Sequence, residues 1–597
     1  MKTASPSESL RRRAAAGARG GLVLVQPPLP ANERHKRVLP LGLAYLAAYV
    51  RDRIPGARVR IVDGQGLNLS LSQVAERAAE GSPAAVGITY WTCQAPAAEA
   101  LSRMIRERLP RTIVIHGGIH ATIFPRRALE TADYCVTHEG EETLAELLRF
   151  LAGEGKAPGE IAGLAWRDGA EPRVNPQRPL LPDLDAVPFP AWDLLPMESY
   201  DSPLHVVGGR RLPVIGSRGC PYGCTYCGSP LMWGRRVRWR SPGNVLAELK
   251  ASVERLGLAQ FHFWDDNLML NRDYIETLCR LIVAEGMRIR WTGLTRASHV
   301  ARNGDLMPLL REAGCIGLEV GIESANPETF AQIDKDEDLQ VIREVARLHK
   351  EHGMYPLFTY MAFNPGETIS GYYAQARFID ELISGLPWYE YFHPMPFPLY
   401  TGQFSTPHMG TRLHEEAPGL GMVLAEGLED YHHHRINFVP DSLLDDAPVR
   451  KIGALDLYQY RLCSTALVYS FWTDFNAAVP LDAQRRLLAR YRDGLAVFWG
   501  SANGKRTLRE IAGRIHRATG VDRRQAVRFA AFTALVLGQT GVIASASDRS
   551  AGRPAVTVAS MGQVSGSLKP MGEEMRRPAA RRVISGAAGI VRRFLRG

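Results

Sequence analysis

Short apolar runs alternate with stretches of helical periodicity between residue 21 and about residue 153. The runs are rich in β-branched residues and end in Gly, Pro or Asp, which is typical of buried strands. They are GLVLVQPP, ARVRIVDG, AAVGITYW, TIVIHGG and YCVTHEGE. This alternation predicts an α/β fold with an open parallel sheet, in which ligands bind at the carboxyl ends of the strands. We assign residues 21–173 to this Rossmann-like domain.

A second α/β region follows a proline-rich passage that has little periodicity. The passage predicts an extended linker, assigned to residues 174–210. From 211 to 400 there are six strand candidates: LPVIGS, QFHFWDDN, RIRWTGLT, IGLEVGIE, LFTYMAF and YEYFHPMPF. Amphipathic helical segments separate most of them, so we predict a (β/α)6 partial TIM barrel with its chemistry at the C-terminal ends of the strands.

The last third of the chain has mainly helical patterns. We assign residues 401–480 to a helical region that shapes a substrate pocket. Residues 481–548 combine helices with a short strand pair, which predicts a winged-helix module. The segments 1–20 and 549–597 are predicted to be basic tails, the second of them flexible.

Composition narrows the class of protein. The chain has 597 residues, of which 45% are hydrophobic and 22% charged, and no apolar run approaches the roughly 18 residues that a membrane span needs. We therefore expect a cytoplasmic protein without a membrane partner. The net charge of +10 is concentrated at the two ends, which we interpret as solvated termini rather than a nucleic-acid surface.

Three of the eight cysteines stand close together in VIGSRGCPYGCTYCGSP, at Cys220, Cys224 and Cys227. Structural zinc takes four Cys or His ligands, usually as two close pairs, so zinc here would need a distant fourth ligand. Three thiolates can instead hold a four-iron cluster in which one iron stays open. The presence of three cysteines rather than four favours the iron–sulfur cluster over zinc. Clustered thiols also favour a reducing compartment.

The C-x3-C-x2-C spacing, with an aromatic residue before the third cysteine, resembles the signature of the radical S-adenosylmethionine (radical SAM) superfamily. The resemblance implies a [4Fe-4S] cluster, SAM bound at its open iron, and an external electron donor. It also implies SAM contacts in the cysteine loop and at the ends of the second and fourth barrel strands. These residues are Tyr226, Gly228, Asp265, Asp266, Asn267, Glu319, Glu323 and Ser324. The alternative for Asp266 or Asn267 is that it caps the following helix.

Four ordered segments of the first domain resemble the cobalamin-binding class of radical SAM enzymes: VQPPLP, LPLGLAYLAAYVR, IHGGIHATIFP and THEGEETL. The alternative is a vestigial domain without cofactor. The cobalamin contacts that the resemblance implies are Gln65, Gly66, Leu67, Asn68, Thr89, Tyr90, Gly117, Gly118, Ile119, His120, Glu139 and Gly140. Some cobalamin enzymes place a histidine beneath cobalt with Asp-x-His-x-x-Gly, but this chain has VDGQGLNLS there. We therefore expect cobalamin without a protein histidine as lower ligand.

The class implies a C-methyltransferase that passes a methyl group from SAM through methylcobalamin to a carbon atom. The domain order resembles that of the thiostrepton type of tryptophan 2-C-methyltransferase, so the preferred acceptor is an aromatic side chain, tryptophan, of a ribosomal precursor peptide. No individual catalytic residue is assigned. Two alternatives stay open: methylation or cyclisation of a small antibiotic or pigment precursor, and a non-catalytic cobalamin and cluster sensor.

The predicted winged helix resembles the elements that hold a leader peptide, often as an added strand. A basic surface would suit an acidic leader; its residues are Lys505, Arg506, Arg509, Arg514, Arg517, Arg523, Arg524 and Arg528. Scaffolding and DNA binding are the alternatives for this module.

Overall fold

The computed structural model describes residues 21–29, 39–200 and 211–362. Further along the chain it describes positions 364, 378, 381–382, 402–405, 407–420, 428, 497, 506–520, 523, 526, 530, 543–547 and 554–558. In these parts of the chain, no helix is long and apolar enough to cross a membrane.

The N-terminal domain is built on a seven-stranded sheet. Its strands are β1 Leu22–Gln26, β2 Val59–Asp63, β3 Ala85–Thr89, β4 Ile113–Gly117, β5 Tyr134–Val136, β6 Leu164–Asp168 and β7 Glu171–Val174. They lie in the order β2-β1-β3-β4-β5-β6-β7, and β1 to β5 are parallel. After β1 the chain adds β2 on one side of it and then β3 on the other side. Ligands of open α/β sheets bind where the strand order changes direction in this way.

The predicted α/β class is confirmed, but the parallel pattern ends at β5. Strands β6 and β7 form an antiparallel hairpin around Gly169, whose φ is +65°, and this hairpin is not among the predicted elements.

Helices cover both faces of this sheet, and therefore its strands are apolar on both sides. The helices are α1 Leu41–Arg53, α2 Leu71–Ala79, α3 Ala95–Arg108, α4 Ile119–Ile123, α5 Pro125–Ala128 and α6 Glu141–Leu151. The valines of β1 belong to the core on one face and its leucines to the core on the other, as the two-residue period of a strand requires.

The second domain contains a six-stranded parallel sheet. Its strands are β8 Leu212–Val214, β11 Gln260–Phe263, β12 Arg290–Thr295, β13 Cys315–Glu323, β14 Tyr355–Ala362 and β15 Gly402–Phe404, and the short ribbon between the first two consists of β9 Ser217–Arg218 and β10 Arg238–Trp239. The six strands are neighbours in chain order, as in a partial barrel. The sixth described strand lies beyond the predicted boundary at residue 400, while the predicted candidate YEYFHPMPF lies outside the described residues.

Amphipathic helices connect the barrel strands. They are α7 Ser229–Trp233, α8 Pro242–Leu256, α9 Arg272–Ala284, α10 Ala297–Arg302, α11 Met307–Glu312, α12 Pro327–Gln332 and α13 Leu339–Glu351. Local sequence fixes α8: Ser241 caps its first turn, Pro242 opens it, and Gly257 ends it with a φ of +64°.

The proline-rich passage joins the two domains through apolar contacts. Trp192, Leu195 and Tyr200 are buried in one core cluster with residues of α1 and β8. The Tyr200 hydroxyl donates a hydrogen bond to Asp63 at the end of β2 (2.7 Å). The passage therefore braces the carboxyl edge of the first sheet.

The described C-terminal elements are α14 Arg412–Glu416, α15 Leu508–Thr519, β16 Arg506–Thr507, β17 Ile543–Ser547 and β18 Pro554–Val558. The last three form an antiparallel sheet in the order β16-β18-β17. Strand β18 lies within the segment predicted to be a flexible tail, residues 549–597, and pairs with β17 along its full length of five residues.

Candidate active site

The three predicted cluster cysteines lie in a loop that starts at the end of β9. Gly219 has a φ of +102°, and a Cβ there would lie 2.2 Å from the carbonyl oxygen of Arg236, so only glycine fits. Further on, the Thr225 N–H donates to Ile333 and the Thr225 carbonyl accepts from Leu413, both at 2.9 Å. The loop is thus held from two sides by backbone hydrogen bonds.

Hydrogen-bond donors face the sulfur atoms of this loop. The Ser229 N–H donates to Cys227 Sγ at 3.4 Å, and Arg296 Nη1 donates to Cys224 Sγ at 3.6 Å. Arg296 is itself held by an ion pair with Glu337 (3.1 Å) and lies 3.9 Å from the ring centre of Tyr222. Donors of this kind stabilise anionic thiolates around an iron–sulfur cluster. The half-buried loop therefore fits a [4Fe-4S] cluster.

Asp265, a predicted SAM contact, is fully buried instead of facing the open end of the barrel. Its carboxylate accepts hydrogen bonds from the Gly216 N–H (3.0 Å) and from Ser217 Oγ (2.6 Å). Burial raises its pKa to about 6. Asp265 thus holds the backbone that leads into the cysteine loop, and its contact with SAM stays a prediction.

The next two residues differ from Asp265. Asp266 is exposed and accepts a hydrogen bond from Ser229 Oγ (2.6 Å) at the start of α7. Asn267 is buried; its Oδ1 accepts from Thr295 Oγ1 (2.9 Å), and its Nδ2 has no partner among the described residues. Asn267 stands at the N-cap position of the short helix Leu268–Leu270 but makes no side-chain capping hydrogen bond there. Helix α9 is capped by Asn271 instead. The orphaned Nδ2 of Asn267 is a donor suited to a polar ligand such as SAM.

Glu323 links the end of β13 to the cysteine loop. It has a φ of +48° at a point where the register between β13 and β14 shifts. Its Oε1 accepts hydrogen bonds from Tyr226 Oη (2.9 Å) and Lys335 Nζ (2.7 Å). Such left-handed geometry in a non-glycine residue is strained and concentrates at ligand sites.

The other predicted SAM residues occupy different positions. Gly228 precedes α7 with an ordinary φ of −84°, and buried Ser324 accepts a hydrogen bond from the Asn326 N–H (3.1 Å). Glu319 lies farther down β13, where its carboxylate is 4.0 Å from His262 Nε2. Of the eight predicted residues, Tyr226, Asp266 and Glu323 are therefore the ones whose side chains lie against one another or against the cysteine loop.

The predicted cobalamin contacts gather at the carboxyl edge of the first sheet. Gln65 is buried in the turn after β2, and its Oε1 accepts hydrogen bonds from Gln26 Nε2 (2.8 Å) and Gln94 Nε2 (3.3 Å). Asp63 fixes the same turn through the Gly66 N–H (2.8 Å). Asn68 completes it with a φ of +51°, and Leu67 packs against the core. The turn after β2 thus carries a buried glutamine, Gln65, that is held by two other glutamine side chains.

The end of β4 supplies a cradle at this edge. Gly118 has a φ of +90°, and a Cβ there would lie 2.6 Å from Thr89 Oγ1 and 2.9 Å from the Tyr90 nitrogen. Gly117 has more room, since its nearest neighbour would be 3.5 Å away. Ile119 follows as the first residue of α4.

His120 completes the cradle. It is buried, its Nδ1 lies 3.1 Å from Thr92 Oγ1, and its Nε2 has no partner among the described residues. Burial lowers its pKa to about 4, so the ring is neutral at physiological pH. A tight glycine beside an orphaned buried nitrogen fits a large polar cofactor such as cobalamin.

Glu139, a predicted cobalamin contact, is hydrogen-bonded to groups of the barrel and the linker. Its carboxylate accepts hydrogen bonds from Arg218 (2.8 Å), Arg238 (2.9 Å) and the Leu181 N–H (2.7 Å). The side chain is therefore occupied by barrel and linker groups. Gly140, which follows it, opens α6.

The cobalamin edge and the cysteine loop are adjacent. A Cβ on Gly410, which precedes α14, would lie 3.1 Å from Ile123 of α4 and 3.2 Å from Leu231 of α7. Because α4 begins in the glycine cradle and α7 begins just after Cys227, the two sites lie side by side.

Three comparisons with known proteins agree with this arrangement. A model described as B12 binding domain matches residues 31–148, and the Radical SAM superfamily model matches residues 214–378. An uncharacterized methyltransferase of Pyrococcus horikoshii, PH0819, is 31% identical over 418 residues, covering 69% of this chain and 86% of that protein. An anaerobic magnesium-protoporphyrin IX monomethyl ester cyclase of Synechocystis is 29% identical over 349 residues, covering 57% and 68%.

Among solved structures, the radical SAM methyltransferase TsrM from Kitasatospora setae, with cobalamin and a [4Fe-4S] cluster bound, aligns with a TM-score of 0.53 at 18% identity. The alignment covers 86% of this chain and 99% of TsrM, and it shows the shared fold. The chain belongs to the radical SAM superfamily and, within it, to the cobalamin-dependent methyltransferases. Its cofactors are a [4Fe-4S] cluster, SAM and cobalamin.

Sequence reasoning missed several residues of the site. Arg218 stands two residues before the first cysteine, and Arg296 follows β12. Trp264 follows β11 and is 41% exposed, although tryptophan is usually mostly buried. A signal for Trp264 was present, because it stands between a strand and two aspartates in FHFWDDN. The arginines carried no such signal, since their partners are distant in sequence.

Proposed function

We propose that this methyltransferase places a methyl group on a carbon of an aromatic side chain, tryptophan in the first instance, in a ribosomal precursor peptide. The observation that supports methyl transfer is the proximity of α4 and α7: a Cβ on Gly410 would lie 3.1 Å from Ile123 and 3.2 Å from Leu231. When bound, cobalamin supplies a methyl carrier and the cluster a binding site for SAM and an electron relay. The protein supplies their placement, and an external donor must supply the electrons.

The inner face of the barrel offers a place for a flat acceptor. His262 in β11 and Trp264, the residue just after that strand, have ring centres 6.2 Å apart at nearly a right angle. Trp264 remains 41% exposed at the carboxyl end of β11. An exposed indole at a barrel mouth can stack on an aromatic ring, which supports an aromatic acceptor.

A candidate proton acceptor lies next to His262, since the Glu319 carboxylate is 4.0 Å from His262 Nε2. Replacing an aromatic C–H by C–CH3 through polar chemistry releases one proton, which a base must take. Burial raises the pKa of Glu319 to about 7, with Arg211 opposing and Glu323 adding to the shift. Burial lowers the pKa of His262 to about 3, so that ring stays neutral. Glu319 can therefore accept a proton once it is ionised, above about pH 7.

This assignment predicts the pH dependence of methyl transfer. The single-turnover rate with saturating peptide should rise with pH through about 7, because the base is active only as the carboxylate. Glu319→Gln should lower kcat by roughly a hundredfold and flatten the profile between pH 6 and 8. Glu328→Gln, on an exposed helix position, is the control. An unchanged profile in Glu319→Gln would rule out this role.

The C-terminal module is proposed to hold the leader of the peptide. Helix α15 buries Ile511, Ala512 and Ile515 and exposes Arg514 and Arg517, so its outer face is basic. An acidic leader would be attracted to this face, and the attraction would weaken as salt is added.

Reversing these charges should therefore raise KM for a leader-containing peptide. We expect Arg514→Glu with Arg517→Glu to raise KM by roughly tenfold, about 1.4 kcal/mol, with kcat little changed. Arg255→Glu with Arg288→Glu makes the same charge change on exposed barrel positions and should leave KM unaltered. Equal KM values for the two double variants would exclude leader binding by α15.

A small pigment or antibiotic precursor is the second candidate substrate. The relative named as a magnesium-protoporphyrin IX monomethyl ester cyclase supports it. Incubating the loaded enzyme with SAM, reductant and each candidate decides between them by mass spectrometry. A peptide that gains one methyl group supports the first proposal; a small molecule that is cyclised or methylated while peptides stay unchanged overturns it. The seven free cysteines of the described residues suit a reducing cytoplasm, where we expect the enzyme to act.

A further inference from the structure

A buried network of four charged side chains joins the two domains. Arg218 Nη1 lies 2.8 Å from Glu139 Oε1, and Arg218 Nη2 lies 2.7 Å from Glu141 Oε1. Arg238, directly opposite Arg218 in the β9–β10 ribbon, lies 2.9 Å from Glu139 Oε2. The side chains are between 5% and 11% exposed. Both arginines come from the barrel domain and both glutamates from the edge of the first sheet.

The network restricts geometry more than it adds stability. Removing two opposite charges from water offsets most of their attraction, so well-packed apolar residues are often as stable as a buried ion pair. A guanidinium that donates two parallel bonds to two different carboxylates is, however, fixed in position and orientation. The rings of Tyr45 and Trp233 flank it, with centres 5.7 and 5.4 Å from its central carbon.

The two ends of the network touch the backbone of the two cofactor sites. On the barrel side, only Gly219 separates Arg218 from Cys220. On the other side, the residue before Glu139 is His138, whose N–H donates to Thr122 Oγ1 (2.9 Å) in α4. Helix α4 begins in the glycine cradle that Gly118 forms. A short rigid path therefore runs from the cysteine loop to the cobalamin edge.

We propose that Arg218 is a positioning residue that sets the separation and orientation of the cluster and cobalamin without touching either. This inference rests on the cofactors of the class and not on the identity of the acceptor. It can therefore hold whichever substrate the enzyme methylates.

The experiment is electron paramagnetic resonance of the fully loaded protein with cobalt as Co(II) and the cluster reduced. Both centres are then paramagnetic, and their magnetic interaction falls steeply with distance. In Arg218→Lys, which keeps the charge but loses the two-pronged geometry, we expect an altered interaction and a kcat lowered on the order of tenfold to a hundredfold. Iron content, cobalamin content and KM for SAM should stay close to those of the unmodified protein.

Arg106→Lys is the matched control, because Arg106 forms an ion pair with Asp133 (3.1 Å) inside the first domain. It should leave the magnetic interaction unchanged. If Arg218→Lys does not fold, Glu141→Gln removes one prong with a neutral side chain of the same shape and should also alter the interaction. An unaltered interaction in the soluble variant, or an equal change in Arg106→Lys, would overturn the proposal.

Discussion

Replacing Cys224 with alanine is expected to abolish cluster binding and to lower methyl transfer by roughly a thousandfold or more, about 4 kcal/mol of transition-state stabilisation. The reason is the number of ligands: Cys220, Cys224 and Cys227 are the three predicted ligands of the cluster, and the variant keeps two of them. Cys224 also receives the hydrogen bond from Arg296, which would be left without its sulfur partner. Iron and sulfide content of the reconstituted protein and the rate of methyl transfer measure the effect.

The control for this variant is Cys279→Ala. Cys279 is fully buried in α9 and belongs to the barrel core. Its removal should leave iron content and cobalamin content unchanged and cost a modest amount of thermal stability. A Cys224→Ala protein that keeps four irons and its activity would show that the cluster is held elsewhere.

Replacing Gly118 with alanine should weaken cobalamin binding by roughly tenfold to a hundredfold. An L-residue at a left-handed φ costs about 1–2 kcal/mol, and here the φ is +90°. The added Cβ would also lie 2.9 Å from the Tyr90 nitrogen, a backbone atom that cannot turn aside as a side chain can. The ends of β3 and β4 would then separate at the cofactor edge. Titration of the apoprotein with cobalamin, followed by absorbance, measures the affinity.

Gly153→Ala separates this local effect from general strain. Gly153 has a similar φ of +96°, but a Cβ there meets no atom within 4 Å. It should therefore lose some stability while binding cobalamin normally. Equal affinity in the Gly118 and Gly153 variants would contradict the placement of cobalamin in this cradle.

The order of strands and helices could be predicted because each buried parallel strand is a short apolar run that ends at a turn-forming residue such as Gly, Pro or Asp. The hairpin of β6 and β7 is different: its second strand, Glu171–Val174, is mostly exposed and polar. The feature of the sequence that indicates this hairpin is its turn, because Asp168 and Gly169 form a dipeptide typical of hairpins. Strand β18 was not predicted, because it is defined by its hydrogen-bonded pairing with β17 and not by the residues around it in the sequence.

The candidate site shows the same limit at the level of single residues. The sequence places polar residues and glycines at strand ends, and this was sufficient to locate the turn of Gln65 and the two glycines at the end of β4. The sequence does not show which groups donate hydrogen bonds to a given carboxylate. Asp265 is held by Gly216 and Ser217, and Glu139 by two arginines at least 79 positions away in the chain. Such partners are determined by the packing of the two domains, which no local pattern records.

The central claim is that methyl transfer by this enzyme requires both cofactors, bound in adjacent sites. The most direct test supplies SAM with a deuterated methyl group, a reductant and the precursor peptide to fully loaded, cobalamin-free and cluster-free protein. Mass spectrometry then follows the label. Labelled methyl should appear on the peptide with the fully loaded protein and with neither of the others; labelling at the same rate without cobalamin would contradict the claim.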